Sequence, residues 1–223
     1  MPGVQLDVPR VLLYILRRDI RLSDNPIFYN ASLLCSKISA GARSRSQSSP
    51  PAPLGRRDSP IDPHEPNLPA ATHLIPIYVF PANQIEVSGF LRTPDDRSPY
   101  REAKSQVAGI WRTGPHRVKF LAESIWDLKR QLEGLECGSG LVIRVGMIEE
   151  IVEHMLASFA GDHTEKNGDS GGNGKVKADV VGIWMAEEEG SEEKHDEEAV
   201  RSIAKAHGVE FRLWGNEKYF VDE

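Results

Sequence analysis

The segment RVLLYILRRDIRLSDNPIFYN (10–30) constrains the fold more than any other stretch of the chain. Val11 to Leu16 is an apolar run without a charge. It stops abruptly at Arg17, Arg18, Asp19, Arg21 and Asp24, which lead into Asn25-Pro26. An uncharged run rich in Val, Leu, Ile and Tyr is a strand buried on both faces, as strands of parallel sheets are. Asp24 or Asn25 supplies a helix N-cap and Pro26 suits a first helical turn, so a helix is expected from about Asn25 to Ser36. The charged cluster then lies just past the strand's carboxyl end, where ligand clefts of open α/β sheets form. The plainer alternative is a solvated loop whose Arg and Asp side chains pair with one another.

The same alternation repeats along the chain. Further strands are expected at 73–80, 140–145, 179–185 and 209–214, all short and rich in β-branched or aromatic residues. A helix over 115–135 carries Val118, Leu121, Ile125, Leu128, Leu132 and Leu135 in steps of three and four, one continuous stripe, with Gly138 and Gly140 expected to end it. Helices also follow at 148–159 and about 192–207, the latter acidic at its start and basic toward its end, which complements the helix dipole. Strands alternating with helices predict a Rossmann-like, doubly wound α/β fold. Its five-stranded parallel sheet takes the order 3-2-1-4-5 inside three α/β/α layers. One domain over 8–220 accommodates the pattern. It is interrupted at 38–71, rich in Ser, Pro, Arg and Gly and expected to be a disordered insert, and at 161–177, GDHTEKNGDSGGNGKVK, expected to be a flexible loop.

Composition narrows the function classes. With 223 residues the chain is long enough for one sizeable core. A formal charge of −6 argues against the domain as a whole acting as an electrostatic trap for DNA. The two cysteines, Cys35 and Cys137, lack metal-ligand spacing and point to a reduced, intracellular protein. No apolar run approaches the roughly 20 residues that span a membrane, and the N-terminus carries no secretory signature.

Residue type alone offers several candidate sites. Glu187, Glu188, Glu189, Glu192, Glu193, Asp196, Glu197 and Glu198 form the densest charge run. Its simplest reading is a helix N-terminus with solvated carboxylates. Nothing there fixes the geometry of a metal site. No G-x-G-x-x-G or Walker pattern follows a strand, so phosphate-cradling chemistry has no support. Ser124 and Cys137 lack a visible base partner. Trp111, Trp126, Trp184 and Trp214 read as core or interface residues.

The pattern R-x-D-x-R-x-x-D-N, here Arg17, Asp19, Arg21, Asp24 and Asn25, resembles the opening of the photolyase/cryptochrome family. HLIPIYVFPANQI (73–85), GPHRVKFLAESIWDLKRQLEGL (114–135) and the closing FRLWGNEKYFVDE resemble further family segments. The wording of 114–124 and the Glu-rich 187–198 stretch are most similar to the DASH cryptochromes. The resemblance implies the N-terminal antenna domain of a flavoprotein whose full-length form drives blue-light DNA repair or photoreception. It implies an antenna folate, methenyltetrahydrofolate, with Glu193 matching the position of the carboxylate that holds the pteridine and Glu192 as the alternate one residue away. The Arg17–Asn25 loop is implied to be structural or to line the cleft. FAD and DNA belong, by the same resemblance, to a C-terminal helical domain outside this chain. The full-length protein would be a photolyase, a carbon–carbon lyase, and this chain alone would be inactive. The other reading of the alternation is a nucleotide- or small-ligand-binding Rossmann-like module without photochemistry.

Overall fold

The computed structural model describes residues 8–32, 71–86, 93, 98–161 and 177–215. Five strands form one sheet: β1 (Arg10–Leu16), β2 (His73–Pro81), β3 (Val142–Gly146), β4 (Asp179–Ala186) and β5 (Glu210–Trp214). Every pairing is parallel and the order is β3-β2-β1-β4-β5, as the alternation predicts. The uncharged run is the central strand. All six residues from Val11 to Leu16 are buried, with β2 on one side and β4 on the other.

Among the described residues, four helices cover the sheet. The first, α1, is helical over residues 26–32 among those described; the others are α2 (Pro115–Glu133), α3 (Ile148–Ala160) and α4 (Ser191–Ala206). The period of two along each strand sorts the core into two layers. Leu12, Tyr14, Leu16, Tyr78, Phe80 and Trp184 face α1 and α2, meeting Ile27, Ala31, Ile125, Leu128 and Leu132. Val11, Leu13, Ile15, Ile77, Val79, Ile183 and Met185 face α3 and α4, meeting Val152, Met155, Leu156, Val200 and Ala204. Burying side chains of this size on both faces stabilises by about 1.5–3 kcal/mol each.

The start of α1 follows the sequence closely. Asn25 Oδ1 accepts from the Ile27 and Phe28 N–H groups at 3.0 and 3.1 Å, an N-cap, and Asn25 Nδ2 donates to the Tyr14 hydroxyl at 3.0 Å. That second bond ties the cap to β1. Burial pushes the Tyr14 hydroxyl well above its ordinary pKa, so it stays a neutral acceptor.

Two sequence expectations need correction. Helix α2 ends at Gly134, whose N–H bonds to the Arg130 carbonyl, rather than at Gly138 or Gly140, which lie beyond the helix end. Its stripe is also shorter than the spacing suggests: Ile125, Leu128 and Leu132 are buried, whereas Leu135 lies past the helix end and is exposed. The 38–71 insert and the 161–177 loop fall outside the described residues except at their margins. Ala71 is buried beside β2, Gly161 caps α3 in the left-handed region, and Lys177 leads into β4.

Candidate functional site

The strands are parallel, so all their carboxyl ends share one edge, and loops from β1, β2, β3 and β4 converge there. Between β1 and β4 the chain reverses its direction of winding, the usual position of a ligand crevice. In this molecule Arg17, the first residue after β1, fills that position. Its guanidinium donates to Glu197 Oε1 at 3.1 Å, Asp196 Oδ2 at 3.3 Å and the Glu193 carbonyl at 3.2 Å. The Arg17 and Glu197 side chains are only 8% and 3% exposed. Glu197 Oε1 also accepts the Glu188 N–H at 2.9 Å, and Lys194 lies 3.5 Å from Glu197 Oε2. Burying such a pair is tolerated because each charge is answered by several partners. Asp196 is held above the usual carboxylate range by burial, against the pull of Arg17.

The rest of the Arg17–Asn25 loop divides into two roles. Asp19 takes a bidentate pair from Arg21 at 2.8 and 2.9 Å and a third bond from the Arg21 N–H at 3.2 Å. The Arg21 side chain, opposing the modest desolvation of the group, holds the Asp19 carboxyl below its usual range. Asn25 is the cap already described. Arg21 and Asp24 reach the surface, where they line a shallow cavity of about 720 Å³ against α2, facing Phe120, Ser124 and Gln131. Asp24 adopts φ 57°, a left-handed conformation that Asp tolerates better than most residues.

A second cavity, about 810 Å³, opens over the β2 and β3 ends of the same edge. Ala82 and Asn83 after β2, Met147 after β3 and Glu192 in the first turn of α4 contribute from the body of the domain. Tyr100, Arg101, Lys104 and Arg112 contribute from the connection into α2. That connection folds back on itself: the Arg112 N–H bonds to the Ala103 carbonyl at 2.9 Å and the Ser105 N–H to the Ile110 carbonyl at 2.8 Å. Lys104 lies 4.5 Å above the Trp111 ring. Tyr100 packs against Gly146, where a Cβ would come 2.7 Å from the hydroxyl, and donates to Glu150 at 2.9 Å. The missing side chain at Gly146 therefore lets this wall close on β3.

The two glutamates singled out in the sequence separate here. Glu192 lines the cavity, paired with Arg112 and accepting from Gln84 Nε2 at 3.3 Å. Glu193 is mostly covered, is paired with Arg18 and folds over Gly190, where any side chain would collide with its carboxylate. Burial raises its pKa, but a bond from its own N–H and the Arg18 guanidinium outweigh that and leave it lowered overall. The acidic run of 187–198 is thus largely partnered, through Arg17, Arg18, Arg112 and Lys194. Among the described residues, no three His, Cys, Asp or Glu side chains converge as metal ligands. The cavity wall from 98 to 112 was not singled out in the sequence. Its residues show no period, and in the sequence Arg101 and Lys104 read only as candidate partners of nearby acidic residues such as Glu102.

No protein-family model matches the chain. Over 214 residues it is 36% identical to a protein of Gibberella zeae named as a cryptochrome DASH, a match that covers 96% of this chain. A second protein so named, the mitochondrial one of Neurospora crassa, is 35% identical over 215 residues and the same share of the chain. The chain belongs to the photolyase/cryptochrome family. Its sequence lies on the cryptochrome DASH side of that family and corresponds to the N-terminal α/β domain. The match spans 24% and 22% of those two relatives' lengths. The fold is that of a cryptochrome of Synechocystis sp. PCC6803, with a TM-score of 0.55 at 17% identity over 93% of this chain and 28% of that one. An archaeal photolyase from Sulfolobus tokodaii, described with two FAD molecules and an implied novel light-harvesting cofactor, overlaps at a TM-score of 0.45, with 18% identity over 92% of this chain and 29% of that one. Among the described residues no helix is long and apolar enough to cross a membrane.

Proposed function

We propose that this chain is the antenna-holding domain of a DASH-type cryptochrome/photolyase. It holds methenyltetrahydrofolate in the cavity over β2 and β3, and it packs against a C-terminal helical domain that carries FAD. The bound folate would absorb light and pass the excitation to that flavin. The full-length protein would then use it in DNA repair or in blue-light reception, with DNA contacted only through the full-length form. The supporting observation is the cavity itself. Its volume, about 810 Å³, lies within the range of small-molecule sites, about 300–1,000 Å³, and a half-exposed carboxylate lines it. A carboxylate accepts the paired N–H donors of a pterin edge in a bidentate way.

The geometry favours Glu192 for that grip, because Glu193 is already engaged by Arg18 and folded onto Gly190. A nucleotide-binding module without photochemistry is disfavoured. The crevice between β1 and β4, where a nucleotide would sit, is filled by Arg17 and its carboxylates. Folate content, read by near-ultraviolet absorbance of the purified full-length protein, tests the reading in wild type, Glu192→Gln and Glu193→Gln. Loss of a charged acceptor is expected to weaken binding by about 1.5–3 kcal/mol in Glu192→Gln. A loss confined to Glu193→Gln would move the grip to that residue. Equal folate in all three would reject both assignments.

A further inference from the structure

We infer that the cavity over β2 and β3 contains a carboxylate-binding subsite, formed by Arg101 and Arg112 with Lys104 beside them, which takes the anionic tail of the antenna. This rests on the folate reading of the same cavity and names the part of the ligand that this chain's own cations recognise. The argument starts from charge. From the body of the domain come acceptors: the Glu192 carboxylate and Asn83 Oδ1, a buried oxygen with no donor among the described residues. From the 98–112 connection come cations. Arg112 is paired with Glu192, Lys104 with Glu102 at 2.8 Å, and Arg101 has no ion pair among the described residues.

A ligand that presents paired N–H donors to Glu192 must take that carboxylate from Arg112. The displaced guanidinium, 32% exposed, is then available to pair with an anionic group elsewhere on the same ligand. Arg101, with no ion pair among the described residues, lines the same cavity, and Lys104 is held near by its contact with Trp111. A ligand with a donor edge at one end and a carboxylate at the other satisfies both displaced charges. A neutral heterocycle engages only Glu192 and leaves the cations to solvent.

The test uses the full-length protein stripped of its antenna and titrated, with absorbance detection, with methenyltetrahydrofolate and with its counterpart lacking the glutamate moiety. For the wild type, removing the glutamate is expected to weaken binding about tenfold or more, the effect of one charge-assisted contact. In Arg101→Ala and in Arg112→Ala that ratio is expected to shrink to about threefold or less. Arg101 is exposed and makes no ion pair among the described residues, so its variant is expected to fold even if the Arg112 variant does not. Equal affinity of the wild type for the two ligands would overturn the subsite while leaving the folate reading standing. An undiminished ratio in Arg101→Ala and Arg112→Ala would overturn the assignment to these residues. Binding of neither ligand would overturn the folate reading and this inference together.

Discussion

At the β1/β4 end of the carboxyl edge, Arg17 is 8% exposed and answered by two carboxylates and a backbone carbonyl. At the β2/β3 end, Arg112 is 32% exposed, shares a single carboxylate and borders a cavity of about 810 Å³. The ends belong to one sheet and both draw on the first turns of α4, yet one is closed by the protein's own charges and the other is open. Topology alone points to the β1/β4 switch as the ligand crevice. Here side-chain chemistry overrides topology, because partners that saturate a buried guanidinium leave no room for a ligand's charge. The open end keeps charges that can change partners.

The most severe way to break the comparison is to remove Glu197. Its side chain is 3% exposed and answers Arg17, Lys194 and the Glu188 N–H. Truncating one member of a buried pair strands the other, so Glu197→Ala is expected to lose about 3–5 kcal/mol in denaturant unfolding. A loss under about 1 kcal/mol would mean that water enters the crevice and that the β1/β4 end is not closed. Asn25→Ala is expected to come next. It removes the α1 cap and leaves the buried Tyr14 hydroxyl without its donor, a loss of about 1–3 kcal/mol. Asn25→Asp, which keeps the cap but not the donor, would apportion the two effects.

The sequence carries the fold because consecutive strand–helix units with right-handed crossovers leave few arrangements of five strands. It also carries the Asn25 cap, since an Asx residue before Pro26 is a local signal. The closed end was half legible. Arg17 and the Glu run are conspicuous, but their pairing spans 180 residues, and nothing local says that Glu197 rather than a neighbour turns inward. The open end was least legible, because its wall comes from several separate loops and the 98–112 connection has no period to read. Glu192 and Glu193 are neighbours in sequence with similar local propensity. Only the tertiary positions of Arg18 and Arg112 distinguish them.

Acid titration sharpens the contrast within the closed end. The Asp19 carboxyl is lowered by the Arg21 side chain, so its contribution is present above the ordinary carboxylate pKa and is lost as pH falls through the lowered value. Asp196 is raised by burial, so its contribution has the opposite sign: stability is lost as pH climbs from the ordinary value through the raised one. Asp19→Asn should flatten the acid-side rise in stability. Asp196→Asn should remove the fall just above it. Unfolding midpoints measured across the acid range decide this, and identical pH profiles for the two variants would contradict the assignment of opposite shifts.

The smallest expected effect belongs to the open end. Arg112 and Glu192 are 32% and 46% exposed, and pairs of that kind contribute about 0–1 kcal/mol, because solvent screens them and ordering two long side chains opposes the gain. Arg112→Ala is therefore expected to unfold within about 1 kcal/mol of the wild type, with an unchanged denaturant slope. The backbone bonds joining Ala103 to Arg112 and Ser105 to Ile110 remain in the variant and hold the loop without the guanidinium. If Arg112→Ala instead lost more than about 2 kcal/mol, the pair would be pinning the 98–112 connection to α4, as Glu197 pins Arg17. The cavity would then be part of the architecture, and its charges would not be free to change partners for a ligand. A near-neutral result leaves those charges available, which is the property that separates this end of the edge from the other.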